Sequence, residues 1–179
     1  MKLGHSLAVA AALWAVAAFA QAADQPPKGD FGGDFWSRVT LEVPVATRHM
    51  PHDSWFNDNN WGLLADVALN EDWSLVGGAY KNSFDRNTAI AGVSWEPLSV
   101  RVGKARLRGG GLAAIDLNGG YRGFNNVDPF LAALNVRLIA ADQDAGGVLS
   151  RAGMLLTVIP AAEKDGSTAV NLALTYRLK

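Results

Sequence analysis

Two short stretches of the chain carry residue types that can do acyl-transfer chemistry. In "YKNSFDR" (Tyr80 to Arg86) the polar pair Asn82-Ser83 closes an apolar run, and "RHMPHDSW" (48–55) offers His49, His52 and Asp53. A histidine can take the proton of a serine hydroxyl, or of an acceptor hydroxyl aligned by that serine, as the oxygen attacks an ester. The same residues have a plainer reading. Asn and Ser favour turns because their side chains bond the local backbone, and loop histidines are ordinarily just solvated. His49-x-x-His52 alone is a thin ligand set for a metal, so no metal site and no cofactor are expected. The chain has no cysteine, which excludes thiolate nucleophiles, zinc–thiolate sites and a disulfide framework.

The segments that must position these groups alternate with a period of two, the signature of half-buried strands. In "FWSRVTLEVPVAT" (35–47) Val39, Leu41, Val43 and Val45 oppose Arg38, Thr40 and Glu42. In "FLAALNVRLIA" (130–140) Phe130, Ala132, Leu134, Val136 and Leu138 oppose Asn135 and Arg137. In "AVNLALTYRL" (169–178) Val170, Leu172, Leu174, Tyr176 and Leu178 oppose Asn171, Thr175 and Arg177. Further strands are expected near 61–69, 73–83, 88–96, 98–107 and 149–159, making eight. The segment 108–128, with Gly109-Gly110-Gly111, reads as a long loop or as strand.

Connections are tight at "NED" (70–72) and "EPLS" (96–99) and long at 48–60 and 108–128. That alternation fits an all-β, eight-stranded antiparallel transmembrane barrel with apolar rows facing lipid. Aromatic residues at expected strand ends (Trp36, Trp61, Trp73, Trp95, Phe130, Tyr176) resemble interfacial belts. A soluble lipocalin-like carrier alternates too, with its apolar face inward.

The N-terminus speaks for secretion. Lys2, the apolar run Leu7 to Ala20 and Ala20-Gln21-Ala22 have the form of a signal peptide over residues 1–22. The Pro/Gly-rich "ADQPPKGDFGGD" (23–34) reads as a flexible leader, and 35–179 as the barrel domain. The formal charge of the whole chain is −1, too weak to point to nucleic acid. "GDFGGDF" opens no helix and is no phosphate loop. The Arg-rich "RVGKARLRGGG" (101–111) suits a solvated strand end or acidic lipid headgroups. Threading a barrel upward from a periplasmic N-terminus brings Asn82-Ser83 to the same outer rim as the loop holding His49 and His52.

On the residues of "VPVATRH" (Val43 to His49), "AYKNSFDRNTAIAGVSWEPL" (Ala79 to Leu98) and, more weakly, "MLLTVIP" (Met154 to Pro160), the chain resembles the lipid A palmitoyltransferase family of outer-membrane barrels. Pro44, Thr47 and His49 match its Pro-x-x-Thr-x-His segment, and Lys81-Asn82-Ser83 stands at its Lys-Asp-Ser step. The resemblance implies a monomeric outer-membrane enzyme that moves an acyl chain from a phospholipid to lipid A. It implies His49 as general base, Ser83 as the hydroxyl of the site and Asn82 as a weaker orienting group where the family has aspartate. On that reading Asn82→Asp should raise the rate. It also implies a lumenal hydrocarbon pocket along Gly92 and Ser94, with Ser94 replacing a glycine at the floor and shortening the preferred chain. The leader lacks the amphipathic helix that the family places before the first strand. The alternative is a non-enzymatic outer-membrane barrel, structural or lipid-binding.

Overall fold

The alternating segments pair in chain order, and the last closes on the first. The strands of this computed structural model are β1 (Val39–Met50), β2 (Gly62–Ala68), β3 (Trp73–Lys81), β4 (Asn87–Val102), β5 (Ala105–Asp116), β6 (Phe130–Ala140), β7 (Ala152–Ile159) and β8 (Thr168–Arg177). They form one closed antiparallel barrel with neighbours in sequence order, so the sheet leaves no edge strand. A 3-10 turn (Phe35–Arg38) precedes β1 and a short helical turn (Val148–Arg151) precedes β7. The structure describes residues 35–50, 56–121, 129–143, 146–161 and 167–179; the signal segment, the leader, His52 and Asp53 lie outside them.

The apolar rows point outward. Val43, Val45, Leu75, Leu134, Val136 and Leu174 are exposed, whereas Glu42, Asp66, Ser94, Glu96, Asn135, Arg137 and Thr175 are buried inside. This inverts the pattern of a soluble barrel, in which the apolar face fills the interior. Asn171 lines the lumen, and Arg38 and Arg177 line its lower end. Val39 departs from its row and is buried.

Two boundaries differ from the sequence expectation, and the pairing adds a third feature. Residues 96–99 are not a turn: β4 runs through them to Val102, and its pairing with β5 shifts between Trp95 and Leu98. Pro97 lacks an N–H to give to the ladder, and a bulge accommodates it without ending the strand. The tight turn lies at Gly103-Lys104, where Gly103 adopts φ 60°, and 105–116 is strand. Trp95 therefore sits inside β4, stacked at 5.8 Å on Trp73 of β3.

Next, β1 extends to Met50, so His49 is a strand residue rather than a loop residue. Its register against β8 shifts between Pro44 and Ala46. The extra residue leaves Val45 and Ala46 both exposed and reverses the parity beyond them. Glu42 and Pro44 point inward below the bulge, Thr47 and His49 above it.

Finally, two ladders stop short. β1 pairs with β2 only from Val39 to Glu42, and β6 with β7 only from Leu134 to Ile139. The sheet is loosely sewn at these seams toward the His49 rim.

Close approach explains one glycine of the triplet. A Cβ at Gly110 would run into the carbonyl of Trp95 at the β4 bulge. Gly110→Ala should therefore cost about 1–3 kcal/mol through forced backbone shifts. The unfolding midpoint in urea reads this, with Gly109→Ala, whose Cβ meets nothing closer than 3.7 Å, as the milder comparison.

Candidate active site

His49 enters the rim through the β1 bulge, and the sequence that follows fixes its ring. Its side chain is 2% exposed. Nδ1 lies 2.6 Å from Asp58 Oδ1, and the ring stacks on Phe56 at 4.5 Å with planes 11° apart. The Thr47 N–H donates to the Asp58 carbonyl at 3.2 Å, which ties the loop carrying the carboxylate to the strand carrying the imidazole. Nε2 is buried and has no hydrogen-bond partner among the described residues. With the Nδ1 proton held by Asp58, Nε2 presents a lone pair. A ring oriented in this way can accept a proton.

The segment 56–60, "FNDNN", ties this histidine to the serine expected beside it. The Asn57 N–H donates to the Ser83 carbonyl at 2.8 Å, and Asn60 Nδ2 donates to Ser83 Oγ at 3.3 Å. Phe56 also meets Phe84 at 5.8 Å, and Phe84 meets Tyr121 edge-on at 6.0 Å. An aromatic chain thus runs round the rim from His49 to Tyr121. The Tyr121 hydroxyl lies 2.9 Å from that of Tyr80. Burial pushes the Tyr121 phenol well above its ordinary value, so it serves as a neutral hydrogen-bonding group.

Asn82 has a different place. It is fully buried. Its Nδ2 donates to Thr88 Oγ1 at 2.8 Å and to the Gly120 carbonyl at 2.9 Å. Its Oδ1 accepts from the N–H groups of Phe84 and Arg86 at 2.9 and 3.0 Å. Three of the four bonds go to turns of the rim, one goes to Thr88 at the start of β4, and none goes to His49. Asn82 shapes the turn that presents Ser83.

Beneath the rim, a lumenal cavity is walled by Pro44, Leu64, Val76, Ile90, Leu112 and Leu155, with Ser83, Asn60 and the two tyrosines at its mouth. Pro44 and Leu64 flank one open seam, and Ile159 stands near the other. The floor is polar, formed by Asn135, Arg137 and Glu42. Ser94 and Gly92 are absent from this lining. Ser94 lies behind Asn135, whose Nδ2 donates to its Oγ at 3.3 Å, and so supports the floor rather than forming it.

At the floor, Arg137 gathers three carboxylates across the lumen. Its Nη2 lies 2.8 Å from Asp66 and 3.0 Å from both Glu42 and Glu96, and its Nε donates to Glu96 at 3.1 Å. Arg108 also approaches Glu96, at 3.6 Å, and donates to the carbonyls of Glu71 and Glu96. Among the described residues no three His, Asp or Glu side chains gather as metal ligands.

Sequence reasoning missed Asp58. It looked for a carboxylate at position 82, whereas the partner stands nine residues beyond the histidine in an asparagine-rich run. Comparison with family models and with curated proteins returns no match.

Proposed function

We propose that this protein is an outer-membrane acyltransferase that moves a fatty acyl chain from a phospholipid to a lipid A-type acceptor. The observation that carries the reading is the cavity inside an apolar-surfaced barrel, with aliphatic side chains in its wall and Ser83 at its mouth, while the oriented His49 stands on the same rim outside its lining. On this reading the aliphatic wall receives the end of a hydrocarbon chain, which stops at Asn135. The open seams offer the chain a lateral way in, and the rim leaves the ester among polar groups. His49 Nε2 takes the proton of the acceptor hydroxyl as its oxygen attacks the donor carbonyl. It returns that proton to the departing glycerol oxygen. Ser83 aligns the reacting oxygens. Ser94 influences chain length through Asn135.

In a nanodisc of phospholipid supplied with lipid A, the protein should form acylated lipid A and lysophospholipid in equal amounts, read by mass. Formation of neither would sink the reading and leave the non-enzymatic barrel. That second reading draws on Asn82 standing where the family has a carboxylate, but Asp58 supplies one to the histidine.

Membrane insertion carries its own prediction. Leu134 is 65% exposed in the middle of β6. Leu134→Arg should cost about 2–4 kcal/mol when the barrel folds into a bilayer, as expected for a cation near the midplane. Equal stability of parent and variant in vesicles would place Leu134 away from lipid.

A further inference from the structure

We infer that Asp58, rather than the residue at position 82, is the positioning carboxylate that makes His49 a base. The inference rests on the acyltransferase reading and assigns one of its working parts to a residue outside the segments that carry the family resemblance. Three observations support it. Among the described residues the one polar contact of the His49 ring is the 2.6 Å approach of Asp58 to Nδ1. The opposite nitrogen is buried and unpaired among the described residues, so it is the one left to accept a proton. Asn82 is held by four hydrogen bonds to other rim groups and has no reach to spare.

The chemistry distinguishes the two positions. A carboxylate accepting from Nδ1–H selects the tautomer with a lone pair on Nε2, and it stabilises the imidazolium that forms when Nε2 takes a proton. During transfer the acceptor O–H bond breaks, its proton goes to Nε2, and the oxygen bonds to the acyl carbon. The carbonyl–glycerol C–O bond then breaks, and the Nε2 proton passes to the glycerol oxygen. Nδ1–H stays with Asp58 throughout. A carboxylate at position 82 would lose the N–H donated to the Gly120 carbonyl and set two acceptors against each other there. Asn82→Asp is therefore expected to lower activity, the reverse of what the sequence pattern implied.

The test combines kinetics with a tautomer measurement on the full barrel. The substrates are a saturated phosphatidylcholine donor and lipid A in detergent. Asp58→Asn should lower kcat roughly 100-fold or more with KM within about twofold, because the histidine loses its enforced tautomer. Asp58→Glu should recover part of that loss, and Asn82→Asp should recover none of it in the Asp58→Asn background. Nitrogen-15 NMR of the ring should show a single Nδ1–H tautomer in the parent and a mixture in Asp58→Asn. If Asp58→Asn keeps kcat within a few fold, or if Asn82→Asp restores it, the assignment is overturned. If the parent transfers no acyl chain, the acyltransferase reading fails and the NMR still decides. Nδ1–H in the parent, lost in Asp58→Asn, upholds Asp58 as the orienting group; Nε2–H in the parent refutes it.

Discussion

Arg137→Met is expected to destabilise the barrel by about 3–5 kcal/mol, the effect of removing one partner from a buried ion pair. The expectation follows from the count of charges around one guanidinium. Arg137 meets Glu42, Asp66 and Glu96 within 3.0 Å, and all four groups are buried. Arg108 reaches Glu96, but Glu42 and Asp66 would be left buried together without a cation between them. Methionine preserves much of the stem and so isolates the charge. Equilibrium unfolding in urea from phospholipid vesicles measures the loss. Neutralising Glu42, Asp66 and Glu96 to their amides in the Arg137→Met background should return much of it. A single variant within about 1 kcal/mol of the parent would show that the carboxylates are not held by Arg137.

His49→Ala is expected to lower kcat/KM for acyl transfer roughly 100- to 10,000-fold, the usual contribution of a positioned general base. The barrel should survive, because the imidazole sits at the rim and forms no part of the ionic cluster at the floor of the lumen. Ser83→Ala should also fall sharply, since the hydroxyl that accepts from Asn60 stands at the mouth of the cavity. Steady-state transfer assays read both losses, and a gel shift between folded and heated protein checks that each variant remains a barrel. Parent-like rates in His49→Ala would remove the histidine from the mechanism.

Much of the architecture was legible because a barrel writes its two faces into alternate residues. Phe130 to Leu138 needed no correction: Leu134 and Val136 are exposed, and Asn135 and Arg137 are buried. Legibility failed where the ladder slips by one residue. Strict alternation from Val43 and Val45 would have carried Thr47 and His49 to the outer face. The bulge after Pro44 turns them inward, and a bulge depends on cross-strand register that one strand's sequence does not display. The tight connection expected at 96–99 failed for the same reason, since Pro97 occupies a bulge inside β4.

The site was legible by residue type but not by pairing. His49 and Ser83 were brought to one rim by counting strands, and the structure joins them through 56–60. The Asp58 contact spans nine residues and depends on how that loop folds back over β1. Nothing in the spacing marked it out from Asp53, and Asn82 drew the comparison because it sits in a recognisable motif.

Mass spectrometry of lipid A from Gram-negative cells with and without this chain tests the acyltransferase account most directly. Cells making the parent should contain a lipid A species heavier by one fatty acyl chain, absent from cells lacking the chain and from cells making the His49→Ala barrel at equal abundance. An unchanged lipid A profile in cells whose outer membrane holds the folded parent would contradict the account.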